Sequence, residues 1–372
     1  MCKAREARIA KQDDKDGFYS LWNVCFQDSA AFCDWLFRVR FYPAYSSCLE
    51  DDEGAIVSAM QAVPYTFVIR EKAVNGAMLC GVSTSPAQRK KGFMRKIFRH
   101  EMELLYKKDL IIASHTPAVL DSYFSFGHLP VADANYFFSE CIPYFPRASD
   151  VVSMDHIIHV SNDLFLLYTN IARNYSGMIL RTREEFQRKA DDYAADGGKC
   201  VTICDNERVM GYAFYYVDEG RIVCVEALAE TGYYNQLLER LFSLYEGYRI
   251  SVKLPPDILP EYVFGELKKL PKGVAGAINI PKLLQVLDIK SPYSVEITDD
   301  VVLKNTGIFN LNGLPSGKEA AFRIEAGRFL QVLIGYHSLE EIRNEIEIFD
   351  EDAFLNISSR LPKQKCYIID EY

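Results

Sequence analysis

Gly81-Val82-Ser83-Thr84-Ser85-Pro86-Ala87-Gln88-Arg89-Lys90-Lys91-Gly92-Phe93-Met94-Arg95 is the stretch on which the fold turns. Val82 to Thr84 ends a strand, Pro86 breaks it, and Arg89 to Gly92 makes a basic turn. From Phe93 onward apolar residues recur at helical spacing through Phe98, Met102 and Leu105, so a helix is expected to about Lys108. A second strand is expected from Leu110 to Ser114, and Asp121-Ser122-Tyr123-Phe124-Ser125-Phe126-Gly127 closes the stretch as a tyrosine-bearing turn. A turn that opens a helix points successive backbone N–H groups, and the positive end of the helix dipole, at an anion. Gly92 lets the backbone approach a pyrophosphate with no Cβ between, and Arg89, Lys90 and Lys91 add charge. If the sheet splays at Val82 to Thr84, unpaired backbone groups there suit the amide-rich arm of an acyl-CoA. Taken alone, Arg89-x-x-Gly92 fits an ordinary strand–turn–helix connection equally well, with Phe98, Met102 and Leu105 as plain core residues.

The chain has 372 residues, beyond the size at which one core keeps growing, so two or three domains are expected. Its composition, 49% hydrophobic and 25% charged, carries no signature of disorder, so all of it is expected to fold. The formal charge of −9 argues against a nucleic-acid surface, which needs a basic face, and suits a cationic small molecule. No run of 18 apolar residues occurs and the first residues are polar and charged, so no membrane partner and a soluble, cytoplasmic protein are expected. Ten cysteines are scattered singly, which predicts reduced, buried thiols and no metal. Cys200 and Cys204, four apart on a strand pattern, and His156 and His159, three apart, lack further ligands.

Three blocks are expected. Residues 1–146 open with a strand at Ala4 to Ile9 and helices at Asp14 to Phe26 and Ala30 to Phe37. Strands follow at Tyr45 to Leu49, Ala55 to Tyr65, Phe67 to Ile69 and Val74 to Val82. Residues 147–279 repeat that order: helices at Leu164 to Asn174 and Arg183 to Asp192, three strands between Lys199 and Ala229, then a helix from Gly232 to Tyr245. No Arg-x-x-Gly turn follows Leu228, so this block is expected to be a degenerate copy that lost the phosphate loop. Residues 280–372 are expected to hold a helix at Pro281 to Leu287 and strands at Tyr293 to Thr298, Val301 to Asn305, Gly307 to Asn312 and Ala320 to Ile324. Helices are expected at Leu330 to Ile334 and Leu339 to Asn344. The apolar, aromatic end from Tyr367 to Tyr372 is expected to be docked, by itself most simply as a terminal strand.

Val82 to Pro86, Arg89 to Arg95 and Tyr123 to Gly127 resemble the corresponding motifs of the enhanced intracellular survival (Eis) family of N-acetyltransferases, within the GNAT superfamily. The resemblance spans the chain and implies an α+β fold. Two tandem GNAT-like mixed-sheet domains, the second degenerate, would precede a C-terminal sterol-carrier-like domain. It implies acetyl-CoA as cosubstrate, without a metal, held by Val82, Ser83, Thr84, Arg89, Lys90, Lys91, Gly92, Phe93, Met94 and Arg95, with Ala118 and Val119 as further contacts. Tyr123 takes the place of the family's general acid, and the carboxylate of Tyr372 that of its general base. A primary-amine acceptor, aminoglycoside-like or a lysine amine, and a homo-hexamer are implied in the same way. Two departures stand out: Lys90 and Lys91 replace commoner arginines, and Ala118-Val119 replaces a more polar pair.

Reference acidities constrain both roles. A tyrosine near 10 is a weaker acid than a thiol near 8.5, so full transfer from Tyr123 is uphill by roughly 2 kcal/mol. A hydrogen bond to the developing thiolate is then its main contribution. A terminal carboxylate near 3.5 is a weak base for an ammonium near 10 unless burial raises it, and otherwise chiefly binds the cation. His115 and His128 flank the tyrosine turn as auxiliary bases, pocket walls or scaffold. Asp350-Glu351-Asp352 reads as a solvated face, and Trp22, Phe26, Phe32, Trp35 and Phe37 as core with some pocket wall. The competing reading is a decayed site beside a third domain that binds a lipid or other apolar ligand.

Overall fold

The computed structural model describes residues 6–26, 28–146 and 162–371, so His156, His159 and Tyr372 lie outside the described residues. In chain order the elements are β1 (Arg8–Ile9), α1 (Lys15–Cys25), α2 (Ala30–Val39), β2 (Ser46–Glu50), β3 (Ile56–Ile69), β4 (Lys72–Thr84), α3 (Phe93–Lys107), β5 (Ile112–His115) and β6 (Leu129–Ser139). Then come α4 (Asn162–Ala172), α5 (Arg183–Ala195), β7 (Lys199–Asp205), β8 (Arg208–Asp218), β9 (Arg221–Ala229), α6 (Tyr234–Phe242), β10 (Arg249–Leu254) and β11 (Glu266–Ala277). The last are α7 (Ile280–Leu287), β12 (Ser294–Thr298), β13 (Gly307–Asn310), β14 (Ala320–Glu325), α8 (Ala326–Ile334), β15 (Glu347–Ile348) and α9 (Glu351–Arg360). Two compact units result: unit 1 holds residues 1–131, 273–364 and 370–372, and unit 2 holds residues 132–272 and 365–369.

In unit 1 the strands run in the order β1-β2-β3-β4-β5-β11, antiparallel except for the parallel pair β4 and β5. Side chains alternate across the pleat, so the two faces carry separate cores. Leu49, Met60 and Leu79 meet Phe93, Ile97, Phe98 and Met102 of α3. Cys48 and Ala59 meet Phe18, Trp22, Leu36 and Phe37 of α1 and α2 on the other face. The sequence pattern divides β3 at Thr66, yet the strand is continuous and carries Pro64 inside it. Pairing of β2 with β3 stops at Ser46↔Gln61, so Pro64 lies where no β2 neighbour needs its missing N–H.

The C-terminal part of unit 1 is a second sheet, β13-β12-β14-β15, with β12 and β14 parallel. It is tied to the first sheet by Arg70 at the β3–β4 turn, which donates from Nε to Leu333 O at 2.8 Å and from Nη2 to Val332 O at 2.9 Å. Gln331 Nε2 donates to Pro130 O at 2.6 Å. The strand expected at Val301 to Asn305 is a turn, because Asp299 Oδ1 accepts from the backbone N–H groups of Val301 and Val302. Leu339 to Asn344 makes no α-helix, only a 3-10 turn at Arg343–Glu345. The acidic run at 350–352 is exposed, as its composition indicates, and starts α9: Asp350 caps it by accepting from Ala353 N at 3.0 Å, with Glu351 and Asp352 in the first turn.

Unit 2 repeats the plan of the first sheet. The meander β7-β8-β9 is antiparallel, α6 follows, and β10 returns parallel to β9. The helix α6 packs on one face and α4 with α5 on the other. Pro271 to Gly273, turn formers by residue type, lie inside β11. Both Cys204 and Cys141 are exposed rather than buried. Residues 365–369 are docked here: Ser176 N donates to Lys365 O, Tyr367 N to Ser176 O, and the buried Lys253 Nζ to Ile369 O at 3.1 Å.

Candidate active site

The site begins with a fault in the sheet. Register between β3 and β4 steps from Ala59↔Ser83 to Gln61↔Cys80, so β4 carries one extra residue at Gly81-Val82. Gly81 has φ +58, and a Cβ there would lie 2.4 Å from the Trp22 ring, so only glycine fits. Parallel pairing of β4 with β5 ends at Met78↔Ser114. Beyond it, Leu79 to Thr84 have no strand neighbour on the β5 side among the described residues, and the two strands open. Ser58 Oγ stiffens the opened end, donating to Ser83 O and meeting Thr84 Oγ1, both at 2.9 Å.

The turn after β4 opens α3. Lys90 has φ +62 and Gly92, the N-cap residue, φ +79 with empty space where a Cβ would stand. Gly92 has no side chain to cap the helix, and the first helical bond is Lys96 N to Gly92 O. The amides of Phe93, Met94 and Arg95 therefore have no acceptor among the described residues, which is an anion cradle. Arg89, Lys90, Lys91 and Arg95 are exposed around it. Arg89 Nε braces Thr84 O at 3.1 Å, and Lys91 Nζ bonds Gln88 Oε1 at 2.7 Å.

The connection after β5 leaves the same end of the neighbouring strand. Ala118 and Val119 are exposed on it, and a 3-10 helix, Leu120–Phe126, carries Tyr123. Burial raises the Tyr123 phenol above its ordinary value, and its hydroxyl has no hydrogen bond among the described residues. Phe98 of α3 joins the two connections: its ring lies 4.4 Å from Phe126, 4.8 Å from His128 and 6.2 Å from Tyr123, centroid to centroid. Arg95 sits 5.2 Å over Phe126. Helical spacing identifies Phe98 only as core; that it couples the cradle to the tyrosine turn depends on contacts distant in sequence. The glycine at Gly81 inside a strand pattern was a signal for the fault.

A strand fault, an uncapped helix start beside it and a tyrosine turn at the next strand's exit coincide with the region matched by the family model for the acetyltransferase (GNAT) domain, residues 6–130. Residues 6–130 are a GNAT acetyltransferase domain. The full chain is similar in fold to a probable N-acyltransferase of Enterococcus faecalis, with TM-score 0.80 at 17% identity. It is also similar to a GCN5-related N-acetyltransferase of Anabaena variabilis, 0.79 at 13%, and to Eis1 of Mycobacterium abscessus, 0.75 at 12%, each covering 100% of both chains. No curated protein matches in sequence. Outside the GNAT domain, the strand corresponding to β4 in unit 2 is β9, and its register also shifts. There Glu226 is buried in a bidentate pair with Arg181, at 3.0 and 2.9 Å, and the following turn has no cation. Among the described residues no group of three His, Cys, Asp or Glu is placed to hold a metal, and no helix is long and apolar enough to cross a membrane.

Proposed function

We propose that the chain transfers an acetyl group from acetyl-CoA directly to a primary amine. The observation that carries this is the uncapped start of α3 at the exit of a faulted, opened β4, coupled through Phe98 to a tyrosine whose hydroxyl is uncommitted. In this reading Val82, Ser83 and Thr84 bind the pantetheine amides. The amides of Phe93, Met94 and Arg95, with Arg89, Lys90, Lys91 and Gly92, bind the pyrophosphate, and Ala118 and Val119 flank the thioester. Because burial raises Tyr123 further above a thiol, it acts first as hydrogen-bond donor to the leaving thiolate. The Tyr372 carboxylate receives the acceptor ammonium and takes its proton.

The acceptor is a polyamine-like cation, aminoglycoside or lysine, supported by the −9 charge and the family resemblance. The resemblance also supports a three-part chain, 1–146, 147–279 and 280–372. The repeated meander of unit 2 fits a second, degenerate GNAT-like domain, and the sheet β13-β12-β14-β15 a sterol-carrier-like one. Hexameric assembly and a cytoplasmic location complete the proposal. Calorimetry with acetyl-CoA paired with thiol release across an amine panel tests it, and absence of acetyl-CoA binding points to the apolar-ligand reading instead. Tyr123→Phe is expected to lower turnover roughly 10²-fold with acetyl-CoA affinity kept. Unchanged turnover removes Tyr123 from the reaction, and a tag after Tyr372 that leaves turnover intact removes the carboxylate.

A further inference from the structure

The chain enters unit 2 a second time near its end. Residues 365–369 belong to that unit and residues 370–372 to unit 1. The segment forms no helix or strand, only an isolated bridge between Cys366 and Ser176. Yet every residue from Cys366 to Asp370 is 5% exposed or less. A chain end is ordered only where something ties it down. Here Tyr367 and Ile369 pack among Tyr175, Tyr212, Phe214 and Leu228, and the main chain bonds twice to Ser176.

A third tie comes from the place in unit 2 that matches the opening of β4 and β5. Parallel pairing of β9 with β10 ends at Cys224↔Val252. Beyond it, Val225 to Ala229 have no strand neighbour on the β10 side among the described residues. Lys253 is the next residue of β10 and is 1% exposed. Its Nζ donates to Ile369 O at 3.1 Å and stands 5.9 Å from the centre of the Tyr367 ring. A buried ammonium is costly unless its hydrogens find acceptors. Lys253 directs one of them to the main chain of the tail, three residues before the terminus.

We propose that Lys253 is a positioning residue for acetyl transfer: it pins the end of the chain so that the Tyr372 carboxylate meets the acceptor amine in one orientation. The inference rests on the reading of that carboxylate as the base. Three extended residues span at most about 10 Å, so a fixed Ile369 confines the carboxylate to a small volume. Its freedom is given up when the chain folds and not at each turnover. The ties at Lys365 and Tyr367 do not involve Lys253, so its loss frees the last residues while the segment before them stays docked. Where the opened strand of unit 1 faces its cofactor, that of unit 2 lies beside the lysine that holds the tail.

Lys253→Met keeps an apolar stem beside Tyr367 and removes the donor. It is expected to bind acetyl-CoA like the parent, to lower turnover about ten-fold or more at pH 7, and to raise the KM of the amine. The loss should shrink between pH 7 and 9, because an amine with a pKa of about 10 becomes neutral without help from a base. Parental turnover, or a loss equal at every pH, overturns the proposal. Carboxypeptidase Y followed by mass spectrometry reads the tail without turnover. The parent should release Tyr372 slowly and the variant about ten-fold faster or more, with acetyl-CoA affinity showing the variant to be folded. Equal release from the two, or prompt stripping of the parent beyond Ile369, overturns the tether. A chain ending at Glu371 separates the two readings. If it turns over like the parent, the carboxylate is not the base and the role of Lys253 falls with it. If it is crippled while Lys253→Met is not, only the tether falls.

Discussion

Glu101 is wholly buried on the sheet-facing side of α3, and burial pushes its carboxyl up to about 8. The folded chain keeps a proton there that the unfolded chain releases near 4.5, so stability falls as pH rises between those values. His115, at about 3, and His128, also lowered by burial, act the other way: the unfolded imidazoles bind protons first, and stability is lost as pH drops below 6.5. The contributions of these three groups turn over near pH 6.5. Glu101→Gln is expected to abolish the alkaline limb, worth about 2 kcal/mol between pH 6.5 and 8. Chemical denaturation of both chains across that range checks it, and equal slopes refute it. Helical spacing places residue 101 on the apolar side of α3, but the carboxyl's protonation depends on how completely the sheet covers it.

At the scale of elements, the turn between β4 and α3 behaves as the sequence pattern indicates. Glycine at the N-cap, with φ +79, is required by the turn itself. Gly92→Val imposes left-handed strain of about 1–2 kcal/mol and puts a branched side chain over the amides of Phe93 to Arg95. A loss of acetyl-CoA affinity of about ten-fold or more is expected by calorimetry, with melting only modestly lowered; parental affinity would remove the cradle from the cofactor site. Other elements escaped the pattern because a non-local partner overrode it. Asp299 turned an alternating stretch into a loop by accepting from two backbone amides and Asn305 Nδ2. Pro64 sits inside β3 only because β2 is short. The cap Asp350 shows how an acidic run starts a helix when its first residue accepts from the third amide beyond it.

Across the whole molecule, the two units show one plan used differently. Unit 1 leaves the strand fault open beside an uncapped helix. Unit 2 fills the corresponding region with Glu226, which accepts from Arg181 and from the hydroxyls of Tyr212 and Tyr193. Breaking that buried pair strands a charge: Arg181→Met is expected to cost about 3–5 kcal/mol. The double change Arg181→Met with Glu226→Gln, which keeps an acceptor for the tyrosines, should recover most of it. Denaturant melts compare the two, and a double variant no better than the single one contradicts this account of the network.

The sequence by itself determined the strand, basic turn, helix and tyrosine turn around Gly92, and the repeat of the meander. Those signals are local: a left-handed glycine, a missing cap and apolar periodicity act within a few residues. Only the tertiary structure decided that β4 and β5 part at Met78, that Phe98 joins the cradle to Tyr123, and that His115 Nε2 and His128 Nδ1 share a hydrogen bond of 3.0 Å. It also decided that Glu101 keeps its proton. Desolvation and side-chain pairing arise from groups brought together across the sheet, and no spacing along the chain encodes how deeply they are covered.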